Sequence, residues 1–108
     1  MSADNQGRVI IDRNAPRDIK MRDLYLTVDD QPEETLLFGD SLDLALPTGE
    51  HRVKVTNRVY SKSLEFRLEA GQTVRLQAAN IPSRGLLSLL MVFSGTVPYK
   101  VSIERRSA

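Results

Sequence analysis

Leu24-Tyr25-Leu26-Thr27-Val28-Asp29-Asp30-Gln31-Pro32 decides the fold. Leu24, Leu26 and Val28 fall on one side, and Tyr25, Thr27 and Asp29 on the other. Period two is the mark of a strand with one buried and one wet face. Asp29 to Pro32 then ends the run, with acidic turn formers and a proline that has no N–H for a ladder.

The same alternation continues on the C-terminal side. Glu34 to Phe38 reads as a short strand closed by Gly39-Asp40. Leu42, Leu44 and Leu46 alternate with Asp43 and Ala45 up to the turn Pro47-Thr48-Gly49. Val53 and Val55 face inward between Arg52, Lys54 and Thr56. Leu64, Phe66 and Leu68 alternate with Glu65, Arg67 and Glu69, and Ala70-Gly71-Gln72 turns the chain. Val74, Leu76 and Ala78 carry the next strand, and Val97, Tyr99, Val101 and Ile103 the last. Toward the N-terminus, Val9-Ile10-Ile11 reads as a further strand, placed at an edge, with its sheet unassigned. Only Ile81 to Phe93 carries a possible helical stripe. Seven to eight short strands with turn signals at short intervals predict an all-β, antiparallel β-sandwich over residues 8–106. Clean alternation favours antiparallel pairing. Residues 1–7, small and polar, are expected to form a disordered tail.

Composition narrows the function classes. The chain has 108 residues, enough for one domain, with 15 basic and 14 acidic side chains for a net charge of +1. A binder working by phosphate neutralisation carries a clearer basic excess, so no nucleic-acid partner is expected. With no cysteine, disulfides, thiolate metal sites and cysteine nucleophiles are excluded. The first residues lack the basic and apolar regions of a signal peptide. The apolar run from Leu86 to Phe93 is too short to span a bilayer. These readings leave the compartment unknown, cytoplasmic by default, with no transmembrane segment, cofactor or metal.

Several residues resemble the PEGA-type domain, a small bacterial β-sandwich module akin to carboxypeptidase regulatory-like and Ig-like sandwiches. The match runs through Leu24-Tyr25-Leu26-Thr27-Val28-Asp29-Asp30, Phe38-Gly39 and Leu44-Ala45-Leu46-Pro47-Thr48-Gly49-Glu50-His51-Arg52-Val53-Lys54-Val55, then Glu69 to Val74, about half of the chain. The sequence departs from the family at Asp30, where glycine is usual, and at Arg58-Val59-Tyr60, where a Gly-Tyr pair is usual. The resemblance implies an accessory module with no catalytic residues to carry over.

His51, the lone histidine, opens a strand just after the Pro47–Gly49 turn. There its ring is placed to hydrogen-bond turn carbonyls and pin the hairpin; no G-x-S-x-G elbow accompanies it. A histidine-dependent hydrolase would need His51 beside a serine or carboxylate in a pocket. Asp29, Asp30, Glu33, Glu34 and Asp40 offer oxygens for calcium but match no calcium-loop spacing. Arg52, Lys54, Arg58, Lys62, Arg67 and Arg75 read as a basic stripe across three consecutive strands, interleaved with Glu50, Glu65 and Glu69 for cross-strand pairing. Tyr25 and Tyr60, with Arg52 and Arg67, form the candidate ligand face. Leu86, Leu87, Leu89, Leu90, Met91 and Phe93 form the candidate interface, read either as a buried strand or as a patch for a protein partner, a second copy or a membrane surface. The functional expectation is a non-enzymatic interaction module of bacterial origin that binds a protein partner or itself. The alternative is a carbohydrate or other small-ligand module.

Overall fold

The computed structural model describes residues 5–20, 23–82 and 99–106. Eight strands are described and no helix: β1 Gln6–Asp12, β2 Leu24–Val28, β3 Glu34–Leu36, β4 Ser41–Pro47, β5 Gly49–Thr56, β6 Ser61–Leu68, β7 Thr73–Pro82 and β8 Tyr99–Arg106. They form two four-stranded sheets in the orders β4-β1-β7-β8 and β3-β2-β5-β6. The residues read as inward in the sequence make the shared core: Val9 and Ile11, Leu24 and Leu26, Val53 and Val55, Val74 and Leu76 are all buried. The protein is thus all-β, with two sheets closing on one apolar layer.

Two strands differ from expectation. β1 is central, not an edge, and it pairs β7 in parallel, Val9 opposite Val74 and Ile11 opposite Leu76; every other pair is antiparallel. Three consecutive apolar residues at Val9-Ile10-Ile11 suit a strand flanked on both edges, where even the outer face is half covered. The strand begins at Gln6, inside the stretch assigned to the tail, and Gly7 is buried. β3 is shorter than read, ending at Leu36. The Asp40 carboxylate accepts the Leu37 N–H at 2.8 Å and Gly39 takes a positive φ of 94°, so the chain turns and leaves Phe38 exposed.

At Gly7 the two sheets pack tightly. A Cβ there would lie 2.6 Å from Leu68 Cγ and 2.8 Å from the Glu69 carbonyl oxygen. Past the last residue of β1, Arg13 continues the inward parity and is wholly buried. Its guanidinium donates to both Asp18 carboxylate oxygens, at 2.9 and 3.2 Å, and to the Leu36 carbonyl at 2.7 Å. The Arg13 backbone also bonds Gly39 and Asp40. One residue therefore joins the β1–β2 connection to the β3–β4 turn. Asn57 and Asn80, both buried, link the sheets by a 3.0 Å side-chain bond.

Candidate functional site

The candidate ligand face divides in the structure. Tyr25, Arg52 and Arg67 stand on the outer side of β2, β5 and β6, opposite to the buried Leu24, Leu26, Val53, Val55, Phe66 and Leu68. Tyr60 packs against the core instead. The Tyr25 ring is covered, with the Arg58 guanidinium 3.7 Å from its centroid. Arg58 in turn holds Glu33 through both of its terminal nitrogens. Its positive φ of 76° is supported by Asn57, whose side-chain oxygen accepts the N–H groups of Val59 and Tyr60. A sugar platform needs an open ring, and this one is stacked by a cation that is itself paired.

The basic stripe does not form as read. Arg75 lies on β7, in the other sheet, where it and Arg106 both approach Asp12 at 3.7 Å. Lys62 sits opposite Val55, on the inner register of β6. What remains is local and cross-strand pairing: Arg67 with Glu69, two residues on, at 2.8 Å and, more loosely, with Glu50 on the facing strand at 3.5 Å. Such exposed pairs contribute about 0–1 kcal/mol each.

His51 faces the inner side of β5 beside Phe66, its ring centroid 5.9 Å from that ring. Nδ1 donates to the Asp29 carboxylate at 2.7 Å and Nε2 donates to the Pro47 carbonyl at 2.6 Å. Both partners are acceptors, so the ring serves both only as the imidazolium. Burial disfavours that charge, but the Pro47 and Asp29 bonds and the charges of Asp29 and Glu50 outweigh it and hold the pKa above its ordinary 6.5. Burial likewise pushes the Asp29 carboxyl up, and is outweighed by bonds from His51 and the Arg52 N–H, which hold it below 3.8. With each ring nitrogen donating to an acceptor, the imidazolium keeps no lone pair with which to take a proton. Its work is to hold the end of β4 and the turn at Asp29, which takes a left-handed φ of 52°.

Beside that clamp the two sheets stand open. β3 pairs only the first three residues of β2, leaving Val28 without a described strand beside it on that side. Across the gap runs β4, an edge strand whose inward Leu42, Leu44 and Leu46 are only half-buried. Between them lies a largely apolar cleft of ≈ 360 Å³, walled by Leu26, Val28 and the three leucines, with Gln31, Pro32 and Glu34 also lining it. Alternation alone places these leucines in the core and carries no sign of their edge position.

The hydrogen bonds fix which way the edge points. The Thr48 N–H donates to Asn5 O and the Arg13 N–H donates to Asp40 O, so even-numbered residues from 40 to 48 turn toward β1. The N–H and C=O groups of Asp43 and Ala45 therefore point outward, and no described strand pairs with them. At the strand's end Pro47 has no donor, and its carbonyl belongs to His51.

The acidic residues are not gathered: among the described residues no three His, Cys, Asp or Glu side chains form a metal-sized group. Asp29, Glu33 and Asp40 are each engaged as described above. Leu86, Leu87, Leu89, Leu90, Met91 and Phe93 lie outside the described residues. No described helix is long and apolar enough to cross a membrane. The chain matches no family model, no curated protein and no solved structure in the comparisons made.

Proposed function

We propose that this domain is a non-enzymatic binding module that takes an added β-strand from a protein partner along β4. One observation carries the reading: an edge strand with outward-pointing backbone groups borders an open apolar cleft. Strand addition uses both parts, main-chain bonds for affinity and alternate side chains seated in a groove for selectivity. Edges of this kind are normally blunted by charge, brevity or cover. The leucine side of β4 carries no charge from Ser41 to Leu46.

The PEGA-like, Ig-like assignment and a bacterial origin belong to the same proposal. Two four-stranded sheets are compatible with such a sandwich. The departures at Asp30 and Arg58 also fall beside and at the two non-glycine residues with positive φ, where a glycine would be at ease.

The test is a strand-forming peptide with leucine at every second position between threonines, titrated into isotopically labelled protein. Shifts confined to the amides of Asp43, Ala45 and their neighbours support the reading. Ala45→Pro, which removes an outward N–H while sparing the β1 ladder, abolishes them. Shifts centred on Tyr25, Arg52 and Arg67 would move the function to the small-ligand alternative.

A further inference from the structure

We propose that the strand added to β4 is the β4 of a second copy of this chain, giving a twofold dimer with one continuous eight-stranded sheet. The inference rests on the reading of β4 as an open edge and names its occupant.

The pattern of β4 is self-complementary in the antiparallel sense. A twofold axis at Leu44 sets Leu44 against the partner copy's Leu44 and Leu42 against its Leu46. It also sets Asp43 against the other copy's Ala45. Asp43 and Ala45 are the residues whose N–H and C=O groups point outward, so each Asp43–Ala45 pair exchanges both backbone bonds. Leu44 falls at a position without backbone bonds, where facing side chains come closest. All the leucines then lie on the cleft side, and the apolar clefts of the two copies join across the axis.

Charge on the outer side favours a second copy over an arbitrary strand. Arg8 lies opposite Ala45 in the β1–β4 register and pairs diagonally with Asp43, Nε to Oδ1 at 2.9 Å. Both side chains remain about half exposed or more, 61% and 49%. In the dimer Asp43 of one copy, Ala45 of the other and the other copy's Arg8 fall in one row across the sheet. Ala45 carries only a methyl group, which leaves the long Arg8 side chain a path to the facing carboxylate. Two Arg8 and two Asp43 side chains alternate in sign around the axis. Opposite charges across a sheet support pairing and like charges oppose it, so each Arg8, one strand further in than Ala45, offsets the two Asp43 carboxylates that stand diagonally about the axis.

The other edges are less suited. β3 has three residues, and β6 carries Lys62 on its inner register. β8 ends in Arg105 and Arg106. A single strand pair makes a small interface, so association is weak and visible only at high concentration.

The experiment is a charge swap read by light scattering and sedimentation equilibrium. Wild type should approach twice the 12.1 kDa chain mass as its concentration rises to about 1 mM, in keeping with a small interface. Asp43→Arg places Arg beside Arg8, and Arg8→Asp places Asp beside Asp43. Each variant alone should dissociate at least about tenfold more readily, about 1.4 kcal/mol. Mixed in equal amounts they should recover the dimer, because each row then holds opposite charges. Ala45→Pro should be monomeric without any change of charge, and circular dichroism checks that all variants keep the fold.

A wild-type dimer that ignores the single substitutions, or variants that fail to recover on mixing, would overturn the proposal. So would a wild type that stays monomeric throughout. In that last case the leucine–threonine peptide separates the two claims. Peptide binding at β4 keeps the open-edge reading with a different partner, and no peptide binding removes both.

Discussion

The Nε2–H of His51 donates to the carbonyl of Pro47 at 2.6 Å, tying the inner face of β5 to the last residue of edge strand β4. The other ring nitrogen holds Asp29 at 2.7 Å. A histidine so placed makes stability depend on pH with a definite sign. Its folded pKa is raised, so its contribution is complete below 6.5 and disappears as pH climbs through the folded value. Asp29 is depressed, so its contribution is present above 3.8 and disappears as pH falls through its lower folded value. Stability from the clamp is therefore greatest between those limits.

Urea melts of wild type should show a falling midpoint from neutral pH to about pH 8.5, above the usual histidine range. His51→Gln should lose that slope and be weaker at about pH 6 by roughly 1 kcal/mol. That is the low end for bonds to charged groups, since the Asp29 carboxylate is partly in water. Identical alkaline slopes in the two proteins would leave the clamp without an energetic role.

Gly7 gives the sharpest packing prediction. The nearest atoms to an added methyl, Leu68 Cγ at 2.6 Å, Leu68 Cδ1 at 2.7 Å and Glu69 O at 2.8 Å, lie on the facing sheet and its exit. Gly7→Ala must push the sheets apart or displace Leu68, at a cost of about 1–3 kcal/mol. Leu68→Ala alone leaves a void costing about 2–5 kcal/mol. In the double variant the two changes share space, so a double-mutant cycle should give a favourable coupling above about 0.5 kcal/mol. Additive effects would mean that the close approach is relieved some other way.

Periodicity made the strands legible, because each inward residue obeys a local rule. Leu24 to Val28 and Val74 to Ala78 are buried on the side that alternation assigned. It did not contain the partners. Whether β1 meets β7 in parallel, or β4 is left at an edge, is decided by how distant segments meet. The same limit merged Arg75 with Arg52 and Arg67 into one stripe, although their strands fall in different sheets. The turn before His51 was readable, since the Pro-x-Gly signal places the ring near a carbonyl, and that carbonyl is Pro47's. The burial of Arg13 is not legible in the sequence, for a chemical reason. Period two from Val9 and Ile11 sends it inward, but a charge is not expected there without a partner, and Asp18 lies in a connection with no period.

The Arg13–Asp18 pair should behave as a buried ion pair. Both side chains are fully shielded from solvent. Asp18→Ala is expected to cost about 3–5 kcal/mol, because it removes the carboxylate that accepts from two nitrogens of a buried guanidinium. Replacing both residues by apolar ones of similar volume should cost less than that single change. Equilibrium denaturation of the single and double variants decides it. A single variant within about 0.5 kcal/mol of wild type, the range of ordinary surface changes, would show that Arg13 can reach solvent or another acceptor.

Among the described strands β4 and β6 each end a sheet, and they make a last comparison. β6 is as long as β5 and pairs it along its full length, so its other side presents an extended row of backbone groups. Lys62 occupies the inner register opposite buried Val55 and is exposed. A charge on that side penalises any strand that would continue the sheet, because pairing would bury the ammonium. Lys62→Val should leave folding stability within about 0.5 kcal/mol of wild type. It should also produce concentration-dependent association that survives Ala45→Pro, since the new contact lies on the other sheet. Thioflavin-T response and sedimentation of the double variant measure this directly. Unchanged solution behaviour would mean that β6 is guarded by something other than its lysine.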